Sequence, residues 1–132
     1  SFKKMILNVR FSKAENAKLP QQSSPTSTAV TIFTQNALCL GPGDYEIPTG
    51  VAVKIPTGYI GEITGIPLRD FKLTHTVVPY YSSGPFDQGL TILIKVQKNG
   101  SLVVPKHYPI AQLYIRESVK FQLYRDEMSV EE

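Results

Sequence analysis

The chain has 132 residues, of which 42% are hydrophobic and 19% charged, and its formal net charge is +3. This length predicts a single domain over residues 1–132, and no apolar run approaches the roughly 18 residues that cross a bilayer, so neither a membrane anchor nor a signal peptide is expected. The cationic residues are scattered, which argues against a nucleic-acid partner. We therefore expect an intracellular protein, in the cytoplasm or nucleus, that binds neither membranes nor nucleic acid.

Runs of Val, Ile, Thr, Leu and Tyr, separated by ten prolines and nine glycines, are typical of short strands joined by turns. A turn signal at 56–58 between two such runs predicts a hairpin. About ten short strands predict an all-β barrel or sandwich. In chain order, the predicted strands are 5–11, 29–34, 44–48, 51–55, 59–64, 73–78, 90–96, 101–104, 110–115 and 119–124.

Helical signals are weak. Residues 11–18 could form one or two turns, with Ser12 as the cap and Glu15 three residues later as in a capping box. Residues 21–28 are polar and turn-forming, which predicts an exposed loop. The single cysteine, Cys39, has apolar neighbours and is expected to be a buried structural thiol.

Three segments in register resemble the dUTPase family: I-P-T-G-V at 47–51, I-P-T-G-Y-I-G-E-I at 55–63, and I-A-Q-L at 110–113. Residues 11–20 are similar to the approach to the family's first motif. The resemblance implies a small antiparallel barrel with jelly-roll character, assembled as a homotrimer with active sites between subunits. Turns of the P-x-G type also occur in unrelated all-β domains, so an unrelated barrel remains an alternative.

The family's reaction, hydrolysis of dUTP, needs a magnesium-bound triphosphate and a carboxylate that activates water. The resemblance places the first motif at 29–32, yet no carboxylate occurs between Glu15 and Asp44. It places the second motif at 65–68, where Ile66 and Pro67 supply neither a cation nor a backbone donor for phosphate. Arg69 could replace the missing cation only if the loop shifts.

The resemblance places the third motif at 80–90. There Ser82 or Ser83 takes the place of the catalytic aspartate, while Phe86 keeps an aromatic ring near the sugar platform. In the fourth motif Gln112 would approach the triphosphate, but Pro109 takes the place of an arginine. Its neighbours Ile110, Ala111 and Leu113 are expected in the core. The fifth, glycine-rich motif is absent, since no glycine follows Ile115.

These departures predict a catalytically degenerate dUTPase-like protein that is not an enzyme and has no catalytic residues, cofactor or metal; His75 and His107 are too few for a histidine metal site. The resemblance to adenoviral early-region and herpesviral accessory proteins implies a viral protein that contacts host proteins. Tyr80, Tyr81 and Phe86 are the candidate partner-contact loop, and Phe86 and Gln112 are the candidate remnants of a nucleotide site. The alternatives are residual dUTP binding or hydrolysis, and a structural trimeric jelly-roll component.

Overall fold

The computed structural model describes residues 6–25, 27–66, 74–82 and 89–127. These residues form twelve strands and no helix, so they contain no candidate membrane-spanning helix. The predicted all-β class is confirmed, with two strands more than expected. The strands are β1 (Arg10–Lys13), β2 (Gln21–Gln22), β3 (Ala29–Phe33), β4 (Leu38–Leu40), β5 (Gly43–Pro48), β6 (Val51–Lys54), β7 (Tyr59–Gly65), β8 (His75–Val77), β9 (Tyr80–Ser82), β10 (Thr91–Val96), β11 (Leu102–Val104) and β12 (Pro109–Glu117).

The strands form four antiparallel sheets. The largest has five strands in the order β2-β3-β12-β7-β9, and a three-stranded sheet has the order β5-β10-β8. Two further pairs are β1-β6 and β4-β11. The long strand β12 lies at the centre of the five-stranded sheet, and its two neighbours are far from it in sequence.

A single core cluster joins all four sheets. Inward positions alternate along the strands, as in β10, where Ile92, Ile94 and Val96 are buried while Lys95 is exposed. The cluster takes Ile32 from β3 and Leu113 from β12, together with side chains from β6, β7, β8 and β11. Because these side chains come from every sheet, the four sheets share one apolar interior.

The I-P-T-G-V segment forms the turn between β5 and β6. Thr49 is buried, and its hydroxyl donates to the Leu90 carbonyl at 2.6 Å. Backbone bonds from Thr49 N to Leu90 O and from Leu90 N to Val51 O tie the same two regions together. Gly50 has φ +71, in the region that favours glycine. These residue types are therefore explained by the fold itself.

The predicted hairpin between 51–55 and 59–64 is wrong. Tyr59 N donates to Pro56 O across the turn, but β6 pairs with β1, whereas β7 pairs with β12 and β9. The buried residues of both strands enter the common core from different sheets. A turn signal fixes where the chain reverses, but the partners of each strand are set by long-range packing.

The predicted helical turns at 11–18 are also wrong. Ser12 pairs with Ala52 in the β1-β6 ladder, so its position is extended. A turn does follow, closed by a bond from Ala17 N to Ala14 O. The first strand begins at Arg10 rather than at residue 5, which lies outside the described residues.

Two smaller expectations fail, at 119–124 and at Cys39, while the exposed loop expected at 21–28 is confirmed except where its first two residues form a strand. The polar segment 21–28 contains the short edge strand β2, and the apolar segment 119–124 forms no strand. Cys39 is exposed rather than buried, because it is the middle residue of β4 and points to the face opposite Leu38 and Leu40, as Val103 does on the paired strand β11. Apolar neighbours in sequence point to the opposite face of a strand, so they did not predict burial of the thiol.

Candidate functional site

The end of β7 and the start of β12 lie side by side. Gly65 pairs with Ala111, and Thr64 pairs with Gln112, so the segments similar to the family's second and fourth motifs meet in the five-stranded sheet. The register of β12 against β3 shifts between Pro109 and Ala111. The two segments are more than forty residues apart in the chain, and the sequence patterns did not predict that they pair.

Within the fourth segment, Ile110, Ala111 and Leu113 are buried, which confirms their expected place in the core. Gln112 points to the opposite, outer face of the sheet, between Thr31 on β3 and Thr64 on β7. Its side-chain oxygen accepts a hydrogen bond from the Tyr114 hydroxyl at 2.9 Å. Gln112 is thus the one residue of this segment that is available to a ligand.

A small cavity of about 190 Å³ lies beside the end of β7. Its described lining residues include one histidine, His75. Burial lowers the pKa of the His75 imidazole, which favours its neutral form. The described lining offers no arginine or lysine to hold an anion. It comprises Gly65, Ile66, His75, Thr76, Val77, Tyr108, Pro109 and Ile110.

The two tyrosines of the predicted contact loop differ in environment. Tyr80 is half-buried and donates to the Thr91 carbonyl at 2.6 Å, and burial raises the pKa of its phenol. Tyr81 is 63% exposed, and its hydroxyl donates to Glu62 Oε1 at 3.4 Å. Of these two tyrosines, only Tyr81 has an exposed ring. Phe86, the third residue of this prediction, lies outside the described residues.

A chain of side-chain contacts crosses the outer face of the sheet and was missed by the sequence reasoning. Arg116 Nε donates to Glu62 Oε2 at 2.7 Å, and its guanidinium carbon lies 5.1 Å from the centroid of the Tyr114 ring. Tyr81 and Gln112 complete the chain at its two ends. We call these five residues the outer-face network. Alternation along β12 was its sequence signal, since Gln112, Tyr114 and Arg116 share one face.

The described residues do not fit a magnesium site. They contain no group of three His, Cys, Asp or Glu side chains that could hold a metal ion. Glu62, the carboxylate nearest to Gln112 across the ladder, already accepts from Arg116 and Tyr81. Hard cations need several oxygen ligands in one place. The described part of the chain therefore supports no reaction step that passes through a metal.

The residues that follow β12 leave large apolar side chains in solvent. Val119 is 75% exposed, Phe121 80%, Leu123 86% and Tyr124 84%. Ser118 N donates to Gly58 O at 2.7 Å, which fixes where this segment leaves the sheet. Four exposed apolar residues so close together are unusual for an isolated chain and indicate a contact surface. We refer to residues 118–127 as the exposed segment.

Comparison with solved structures defines the class of fold. A bacteriophage 80alpha dUTPase from Staphylococcus, bound to dUpNHpp, has a TM-score of 0.78 at 23% identity, with 92% of this chain and 89% of that chain covered. The dUTPase of phage phi11 of S. aureus, described for a structural Mg(II) ion, gives 0.78 at 21%, with 93% and 99% covered. A further 80alpha dUTPase variant, from work on enzymatic activity and SaPI induction, gives 0.78 at 24%, with 95% and 92% covered.

This chain therefore has the dUTPase fold, as the motif resemblance implied. No protein-family model and no curated protein matches it. At these identities the likeness establishes the fold, while the finer expectations of a degenerate, viral family member go beyond it.

The prediction that the chain is not an enzyme is contradicted by these matches, because the similar structures are dUTPases. That prediction considered only the side chains at the motif positions of a single chain. The segments 67–73 and 83–88, which contain Arg69 and Asp87, lie outside the described residues.

Proposed function

We propose that this chain works through protein contacts made on a dUTPase-fold scaffold, as a self-assembling protein of viral origin that also binds a host protein inside the cell. The observation that carries the proposal is the exposed segment, whose four large apolar side chains are 75–86% exposed. Such a surface is stable in water when another protein covers it. Support for a regulatory role on this fold comes from 80alpha, whose dUTPase is reported to control transfer of virulence genes.

Assembly of several copies, as a homotrimer, is the first contact we propose. A groove of about 750 Å³ lies beside the exit of the exposed segment, and Tyr59 and Ile115 form part of its wall, together with polar residues such as Ser27 and Thr28. Phe11 and Val9 line the same groove. We place the exposed segment of a second copy against the apolar part of this wall, so that the contact buries apolar side chains from both copies.

The contact with a host protein is proposed at Tyr81. Its ring is exposed, and its hydroxyl makes a long contact of 3.4 Å with Glu62 Oε1. Tyrosine provides large contact area with few rotatable bonds and is enriched in interfaces. Tyr80 is not part of this surface, because its hydroxyl is bound to the Thr91 carbonyl.

Replacing both Phe121 and Leu123 by Ser is expected to weaken self-association by about 100-fold or more. Burying one such side chain contributes about 1.5–3 kcal/mol, and each 1.4 kcal/mol is about a factor of ten in affinity. Sedimentation equilibrium measures the effect, with wild type expected as a trimer and the variant as single chains.

The matched control replaces Lys120 and Gln122 by Ser. In an extended chain these residues point away from the face that carries Phe121 and Leu123, so this variant is expected to assemble as wild type does. A wild-type protein that sediments as single chains, or equal weakening by both double substitutions, would rule out assembly through the exposed segment.

Binding of a deoxyuridine triphosphate is the second candidate function. Gln112 stands between Thr31 and Thr64 on the outer face, and its amide nitrogen makes no hydrogen bond within the described residues. The solved 80alpha structure contains dUpNHpp. An amide beside two threonine hydroxyls offers donors for phosphate oxygens.

Gln112→Ala is expected to weaken dUpNHpp binding by about tenfold, since one hydrogen bond contributes roughly 1 kcal/mol and somewhat more to a charged group. Isothermal titration with magnesium present measures the affinity, and release of pyrophosphate from dUTP by the same sample measures turnover. Gln122→Ala, on the exposed segment, is the control and should bind as wild type does. Equal affinity of all three proteins would exclude Gln112 from the site.

A further inference from the structure

In the outer-face network, the side-chain oxygens of Glu62 and Gln112 already accept hydrogen bonds from other members of the network. Glu62 accepts with both oxygens, from Arg116 at 2.7 Å and from Tyr81 at 3.4 Å. The side-chain oxygen of Gln112 accepts from the Tyr114 hydroxyl at 2.9 Å. The carboxylate and amide oxygens of the network are therefore engaged inside it, which leaves mainly N–H donors for a ligand.

Two groups supply these donors. Arg116 uses Nε for its bond to Glu62, and its two terminal nitrogens make no hydrogen bond within the described part of the chain. Its side chain is 56% exposed. Gln112 leaves its amide nitrogen unpaired among the same residues. The two side chains point from one face of β12, four residues and about 13 Å apart along the strand.

We propose that Arg116 anchors an oxyanion site on the outer face of the five-stranded sheet, which binds a chain of linked phosphates that extends along β12 toward Gln112. The inference rests on the second candidate function, nucleotide binding, and assigns it a cation that the motif comparison did not supply. It requires neither hydrolysis nor assembly. The network exposes the two terminal nitrogens of the Arg116 guanidinium group, which can donate two parallel hydrogen bonds to a pair of phosphate oxygens.

Glu62 and Tyr114 act as positioning residues for this group. The bond to Glu62 fixes one edge of the guanidinium plane, and the Tyr114 ring lies against it. The same carboxylate offsets much of the positive charge, so binding depends on directed hydrogen bonds more than on net charge. A ligand with several oxygens in line is favoured over a single carboxylate, because the free donors are spread along the strand.

Inorganic tripolyphosphate without metal is the first probe, titrated calorimetrically into the whole chain at low salt. Wild type is expected to bind saturably, and Arg116→Gln to weaken binding about tenfold or more, because a charge-assisted, paired contact is lost. Arg116→Lys keeps the charge but loses the paired geometry, so an intermediate affinity is expected. Arg10→Gln, at another exposed arginine on β1, is the matched control and should stay within about twofold of wild type.

Equal weakening by Arg116→Gln and Arg10→Gln would overturn the proposal, since the effect would then be general charge, as would the absence of saturable binding. Tighter binding of hexaglutamate than of tripolyphosphate would also overturn it, in favour of an acidic protein partner. A parallel titration with dUpNHpp separates the two ideas. If dUpNHpp binding depends on Gln112 but not on Arg116, the inference about Arg116 is wrong and nucleotide binding stands. If tripolyphosphate binds and dUpNHpp does not, only the proposed nucleotide binding is wrong.

Discussion

Leu113→Ala is expected to lower the free energy of unfolding by about 3 kcal/mol, within the roughly 2–5 kcal/mol typical of a buried leucine. Leu113 is fully buried at the centre of the five-stranded sheet, where β12 pairs with both β3 and β7. Strands on both sides limit how far the sheet can collapse around the lost methyl groups. Urea denaturation followed by circular dichroism measures the change.

The control is the adjacent residue of the same segment. Gln112 points to the outer face, so Gln112→Ala should cost less than about 1 kcal/mol. Similar losses for both variants would show that the two faces of β12 are not differently packed. The stability of Gln112→Ala also matters for the dUpNHpp titration. If this variant stays folded, a loss of affinity reports on binding rather than on unfolding.

Gly50→Ala is expected to cost about 2 kcal/mol or more. The left-handed backbone, with φ +71, costs a residue with a side chain roughly 1–2 kcal/mol. A Cβ there would also lie 2.8 Å from the Cβ of Ala17, which cannot move without its backbone. Crowding of this kind typically adds about 1–3 kcal/mol. Thermal or urea unfolding of the purified variant checks the value.

Gly58→Ala separates backbone strain from crowding. Gly58 also has positive φ, at +89, but no atom lies within 4 Å of the place its Cβ would take. Its replacement should therefore cost only the conformational part, about 1 kcal/mol. A loss at Gly58 as large as that at Gly50 would contradict the assigned contact with Ala17.

The residues that carry the resemblance to dUTPases have structural roles in this chain. Thr49, Ala111 and Leu113 are buried, and Gly50 is needed for a crowded turn, so the motif residues that carry the resemblance mainly keep the fold. They predicted the fold correctly for that reason. They could not decide activity, and the prediction of no enzyme, taken from departures elsewhere in the motifs, was contradicted by the likeness to dUTPases.

Local sequence patterns were enough to predict the all-β class and the core positions of Ile110, Ala111 and Leu113. Each depends on information held within a few residues, namely the alternation of side chains along a strand or the backbone freedom of glycine.

Strand pairing is a property of the folded chain, and several assignments failed or were missed for that reason. The 51–55 and 59–64 runs joined different sheets, Cys39 lies on the exposed face of β4, and Tyr80 is half-buried while Tyr81 is exposed. The contact between Glu62 and Arg116 joins residues 54 positions apart. Alternation tells which side chains share a face, but not which strand lies beside it, because that choice is made by packing between segments remote in sequence.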